Sequence, residues 1–314
     1  MSIPVFQSTP ERTSPERILQ RIDWQVIRRL DGQLQGDYRS LFYGYGIDFA
    51  DLREYQPGDD IRYIDWNVTA RMDTPYIRQY VEDREITAWF LLDLSPSMDF
   101  GTTNSLKRTG LIDFVATLAR LLTRHGNRVG AILYSGQRDP ERTQDPFIER
   151  TIPPRGGRIQ VLNILNDLLK QPQLPRAPFT NLSPLIESGL QTLKRRSLVF
   201  ILSDFISAPG WERHLRLMQQ RHEVLAVRLW DPREMDLPDV GPIVMEDAET
   251  GEQLVVDTHD KQFRARFNAA AHQRETALRQ TFKHAGVDLL SLSTEEDLVR
   301  AIVRLAELRK QRRR

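Results

Sequence analysis

The chain has no cysteine. That excludes disulfides, thiolate metal sites and cysteine nucleophiles, and it fits a reducing compartment. Long apolar runs are missing too. Ala88–Leu92 and Leu198–Leu202 fall far short of the ~20 residues that cross a bilayer. The opening residues MSIPVFQSTPERTSPER have neither the basic start nor the apolar stretch of a secretory signal. A soluble cytoplasmic protein without a membrane span is therefore expected. An excess of one charge is absent as well. The 44 Lys and Arg nearly balance the 43 Asp and Glu, so a nucleic-acid partner is not expected. There is no Gly-x-x-x-x-Gly-Lys-Ser/Thr loop for phosphates and no Gly-x-Ser-x-Gly elbow for a nucleophile. The histidines show no ligand spacing, and His125 reads as the end of a helix. The pair Gly156-Gly157 reads as a turn or helix start.

What is present is an alternation of strand and helix signals. Residues 1–15 are rich in Pro, Ser and Thr and read as a flexible N-terminus. Ile18, Ile22, Val26, Ile27 and Leu30 recur at helical spacing. Phe42 to Arg84 is punctuated by Gly44, Gly46, Pro57, Gly58 and Pro75 and reads as irregular structure with short strands. Together, 16–85 reads as an N-terminal helix plus a small β-rich region. From residue 86 the texture changes. ITAWFLLDLS, RVGAILYS, SLVFILSDF, EVLAVRLWD and VDLLSLS are apolar runs of strands covered on both faces. Helical patterns separate them, and residues 147–152 suit an edge strand. This alternation predicts an α/β fold with a doubly wound, Rossmann-like, mostly parallel sheet over 86–310. PIVMEDAETGEQLVVD, at about 241–257, reads as an inserted β-hairpin. A last helix carries the stripe Leu298, Ala301, Ile302, Leu305 and Leu308. The basic tail from Arg309 to Arg314 reads as a solvated helix end.

Chemistry concentrates at strand ends. One buried strand delivers Asp93-Leu94-Ser95-Pro96-Ser97 at its carboxyl end. Open α/β sheets place ligands in the crevice outside those ends. A carboxylate and two hydroxyls on alternate positions form a hard oxygen set, suited to Mg²⁺, Mn²⁺ or Ca²⁺ rather than Zn²⁺. Thr180, just before a helix, and Asp204, ending another strand, are expected at the same edge. The same residues also allow a purely structural reading. Asp93 and Ser97 suit turns, and Asp204 suits a helix cap.

In order and context, Asp93, Ser95, Ser97, Thr180 and Asp204 resemble the metal-ion-dependent adhesion site (MIDAS) of von Willebrand factor A domains. The resemblance implies a fold of that type and a divalent metal with one open coordination position. It also implies a protein partner whose exposed Asp or Glu fills that position. Upstream, Arg53, Glu54, Tyr55, Pro57, Gly58, Asp59, Asp60, Arg62, Ile64, Asp65, Trp66, Ala70 and Arg71 resemble the hallmark segment of the DUF58 family. That resemblance implies an adaptor or co-chaperone working with a MoxR-type AAA+ ATPase. Asp59, Asp60 and Asp65 have two readings: a second metal cluster, or ion pairs with Arg53, Arg62, Arg71 and Arg78, which the interleaving favours. A non-enzymatic, metal-dependent interaction module is expected. A hydrolase on the same site would need a general base, and Asp99 is the one candidate on the adjoining loop. A scaffold with a vestigial metal site is the third reading.

Overall fold

In the computed structural model, residues 14–33, 48–81, 86–102, 105–136, 148–172, 180–248 and 250–312 are described. The flexible N-terminus expected over 1–15 lies outside them, apart from its last two residues. Helix α1 (Pro15–Ile22) runs through a π-helical turn (Asp23–Ile27) into α2 (Arg28–Gln33). Ser14 starts the run, because its side-chain oxygen accepts the Arg17 N–H. Pro15 follows at the first position, where its missing N–H leaves no bond unmade. Strand β1 (Asp48–Glu54) pairs antiparallel with β2 (Tyr76–Val81). Between them in sequence lies α3 (Trp66–Met72), where only irregular structure and short strands were expected. The reason is a cap. Asp65 accepts the N–H groups of Asn67 and Val68 at 3.0 and 3.2 Å. Asp73, at φ 56°, closes the helix in the left-handed region.

The central sheet follows the alternation in the sequence. Its elements, in order, begin with β3 (Thr87–Asp93), α4 (Lys107–Arg124), β4 (Arg128–Tyr134), β5 (Ile148–Arg155) and α5 (Gly157–Lys170). They continue with α6 (Ser183–Thr192), β6 (Leu198–Ser203), α7 (Trp211–Arg221) and β7 (Glu223–Trp230). The hairpin β8 (Pro242–Glu246) and β9 (Gln253–Asp257), α8 (Lys261–Ala285), β10 (Asp288–Ser293) and α9 (Leu298–Arg312) complete the chain. Among the described residues the sheet has six strands in the order β10-β7-β6-β3-β4-β5, and only the β4–β5 pairing is antiparallel. The protein is thus mixed α/β with a mostly parallel central sheet.

Strand alternation sorts the core into two layers. Phe90, Leu92, Phe200 and Leu202 point to one face, where α1, α2, α4, α5 and α9 pack. Trp89, Leu91, Val199 and Ile201 point to the other, under α6, α7 and α8. Phe90 and Phe200 stack across adjacent strands with ring centroids 5.3 Å apart. The N-terminal helix joins the first layer through Ile18, Leu19, Ile22, Ile27 and Leu30. Arg21–Asp113 and Asp23–Arg120 ion pairs fasten it to α4.

The expected stripe on α9 is present, with Ala301, Ile302 and Leu305 fully buried. Its basic end departs from expectation at Arg309, which is buried rather than solvated. Arg309 Nε donates to Glu223 Oε1 at 2.9 Å. The Glu223 carboxylate, at the start of β7, holds its head. Arg313 and Arg314 lie outside the described residues.

From β3 the chain moves outward to β4 and β5 on one side. It then returns to lay β6 against the opposite edge of β3 and continues outward through β7 and β10. Strand order therefore reverses between β3 and β6. At such a point the loops leave in opposite directions and open a crevice outside the carboxyl ends.

Candidate metal centre

Asp93 is the last residue of β3, and Asp204 directly follows β6. Since β3 and β6 are hydrogen-bonded neighbours, both carboxylates emerge at the reversal point. Both are withdrawn from water, at 0% and 2% exposure. The Asp93 carboxylate is held on two sides. Its Oδ1 accepts the Ser95 N–H at 3.0 Å, and its Oδ2 accepts the Ser203 hydroxyl at 2.6 Å. Burial, then the charge of Asp204, pushes the Asp93 carboxyl up to about 6, although the Ser203 and Ser95 hydrogen bonds favour its anion.

After β3 the chain turns through a short 3₁₀ segment, Pro96–Asp99. That turn brings the buried hydroxyls of Ser95 and Ser97 to 3.2 Å from one another. Thr180 is buried in the loop before α6. Its carbonyl accepts the Ala208 N–H at 2.9 Å, which ties this loop to the segment after β6. The next residue, Asn181, donates its N–H to the Tyr134 hydroxyl at the end of β4. Asp93, Ser95, Ser97 and Asp204 thus share one strand-end crevice, and the Thr180 loop is bonded along its side.

The backbone after Asp204 is unusual. Phe205 sits at φ 58°, a left-handed conformation that costs a side-chain-bearing residue about 1–3 kcal/mol. The Phe205 N–H bonds the Ser203 hydroxyl, the Ile206 N–H bonds Asp204 Oδ1, and the Phe205 ring packs on Trp211 and Phe282. These contacts hold the strained turn and aim the Asp204 side chain.

Sequence reading missed four residues here. Lys107 is 1% exposed, and its Nζ donates to Asp204 Oδ2 at 2.7 Å and to Glu234 Oε1 at 2.6 Å. Burial alone would lower its pKa; Asp204 and Glu234 outweigh that and raise it. Glu234 is placed by a capping box, its Oε2 accepting the Asp231 N–H. Asp231 in turn accepts the hydroxyls of Thr102 and Thr294, joining the loops after β3, β7 and β10. Ser203, missed as well, orients Asp93. One signal was readable: Lys107 and Arg108 open a helix, where the macrodipole disfavours cations. Two buried cations there require nearby acids.

Asp99, the candidate general base, is bound to Arg108 at 3.3 Å. Among the described residues no group of three or more His, Cys, Asp or Glu is placed to hold a metal ion. The set at the strand ends is instead a mixture of two carboxylates with hydroxyls. Upstream, Arg53 binds Asp59 and Arg62 binds Asp60, while Asp65 caps α3. Asp59 and Asp60 thus follow the ion-pair reading, each with a local arginine, whereas Asp65 departs from both readings because its carboxylate is spent on the helix cap.

Fold and site together define an open α/β protein with a buried carboxylate–hydroxyl cluster at its topological switch point. The chain belongs to the DUF58 family: the description "Protein of unknown function DUF58" matches residues 51–277. The uncharacterized protein Rv1480 of Mycobacterium tuberculosis is 37% identical over 294 residues, covering 93% of this chain and 89% of that one. The uncharacterized protein MAV169 of Mycobacterium avium is 34% identical over 159 residues, covering 51% of this chain and 94% of that one. Among solved structures, BatB from Bacteroides thetaiotaomicron aligns with 73% of this chain and all of its own, at TM-score 0.43 and 11% identity. An aerotolerance-related membrane protein from Bacteroides fragilis aligns with 72% of this chain and 99% of its own, at TM-score 0.44 and 12% identity. At TM-scores this low, the fold rests on the strand order alone. Among the described residues no helix is long and apolar enough to cross a membrane.

Proposed function

We propose that this protein is a metal-dependent protein-interaction module of von Willebrand factor A type. In this reading Asp93, Ser95, Ser97, Thr180 and Asp204 hold Mg²⁺, or Mn²⁺ or Ca²⁺ in its place. The observation that carries it is the pair of buried carboxylates at the β3/β6 reversal, flanked by the Ser95 and Ser97 hydroxyls. Burial first, and the charge of Asp204 second, disfavour the Asp93 anion, and a divalent cation held between the two acids would offset both. Hard oxygen donors fit a hard divalent cation. Bound there, the metal would supply an electrophilic position for an acidic side chain of another protein.

The reading is non-enzymatic and cytoplasmic. The carboxylates beside the cluster that could serve a hydrolase as base, Asp99 and Glu234, are engaged by Arg108 and Lys107. A MoxR-type AAA+ ATPase is the partner that the family resemblance suggests. Isothermal titration of the full chain with Mn²⁺ and Mg²⁺ tests the metal. Saturable binding to the wild type, abolished by Asp93→Ala, is expected. Absence of heat and of any thermal shift with either ion overturns the reading. Capture of the acidic partner should then require metal and vanish with chelator.

A further inference from the structure

Lys107 stands outside the five proposed ligands, yet it reaches one of them. Its ammonium is out of water, at the first position of α4, where the helix's own N–H groups oppose a cation. A lysine serving only as packing gains nothing from that position. Its two partners explain it: Asp204 Oδ2 at 2.7 Å and Glu234 Oε1 at 2.6 Å. The other Asp204 oxygen accepts the Ile206 N–H at 3.0 Å. Each Asp204 oxygen therefore already accepts one bond within the protein, and a divalent ion drawing on Asp204 meets a cation already in place. Glu234 belongs to a separate loop after β7, held by its bond to the Asp231 N–H. It gives Lys107 a second carboxylate that does not belong to the proposed ligand set.

We propose that Lys107 is a resident cation of this centre, which competes with the divalent metal for Asp204 and thereby sets the metal's affinity. The inference rests on the metal reading above. In the metal-free protein Lys107 neutralises Asp204, so the fold does not have to bury two bare carboxylates side by side. When metal binds, Asp204 is shared and Lys107 leans on Glu234. Affinity is weakened by the ammonium and partly restored by the Glu234 charge.

The sign of the effect separates this role from a structural one. Deleting a merely structural lysine loosens the site and weakens binding, whereas deleting a competing cation tightens it. Isothermal titration with MnCl₂ on the full chain compares wild type, Lys107→Met and Glu234→Gln. Removing a unit charge within a few ångströms of a divalent ion should tighten Mn²⁺ binding by about tenfold or more in Lys107→Met. Glu234→Gln, which leaves Lys107 to Asp204 alone, should bind several-fold more weakly. Lys107→Met binding no tighter than wild type overturns the proposal. Should Lys107→Met fail to fold, Glu234→Gln decides, and an unchanged affinity there overturns it. Mn²⁺ binding by Lys107→Met but not by wild type supports the resident cation and removes the metal-loaded native state. Binding by neither removes both.

Discussion

Two regions of this protein hold ion pairs of nearly the same length for different ends. In the segment joining β1 to β2, Arg62 and Asp60 meet at 2.6 Å, and the Arg62 side chain is 82% exposed. At the carboxyl edge of the central sheet, Lys107 and Asp204 meet at 2.7 Å, and each side chain is 1% exposed. Distance does not distinguish them; water does. An exposed pair exchanges good hydration for a screened attraction and gains little. A buried pair has already lost its hydration, so each member depends on the other. The upstream segment is dense in charge because local turns and short bridges shape it. The strand-end cluster has few charges, and each is committed.

The largest test of this contrast is Asp204→Ala. It leaves Lys107 buried with Glu234 alone and should destabilise the metal-free protein by about 3 kcal/mol in urea unfolding. Adding Lys107→Met to it should recover part of the loss. A loss no greater than that of a surface substitution would show that water reaches the cluster. The next test uses pH. Asp93 has a folded pKa of about 6 against 3.8 ordinarily, so its contribution is fully present below 3.8 and is lost as pH rises through about 6. Asp93→Asn carries no charge to lose. In chelator it should therefore gain stability relative to wild type as pH rises from about 4 to about 7. A constant difference across that range would mean that Asp93 titrates as if in water. The smallest effect belongs to Asp60→Ala. Its pair with Arg62 is exposed and its other bond caps a short turn, so the loss in urea unfolding should stay at or below about 1 kcal/mol and any Mn²⁺ response should stay as in wild type. A marked loss there would erase the contrast.

Much of the fold was legible. Apolar runs as short as those of β3 and β6, rich in aromatic and branched residues, read as strands covered on both faces, and helical stripes between them imply parallel crossovers. The hairpin β8–β9 was readable from its turn residues. Helix α3 was not, because its seven residues carry no apolar stripe and depend on the Asp65 cap. The N-terminal helix was readable as a helix. Its burial against α4 was not, because a periodic stripe says that a face is covered and does not say by what.

Asp93 and Asp204 were visible as acids ending apolar strands, and Ser95 and Ser97 by their alternation with Asp93. Those features are local, and the sequence by itself determined them: which runs are strands, which are helices, and which polar groups stand at their ends. The tertiary structure decided which ends meet. Lys107 lies 97 residues from Asp204 and 127 from Glu234. Those contacts exist because strand order reverses between β3 and β6, laying β6 against β3 and β7 beyond it. Burial then sets their strength, since charge that water would have screened is left to find its partner within the protein.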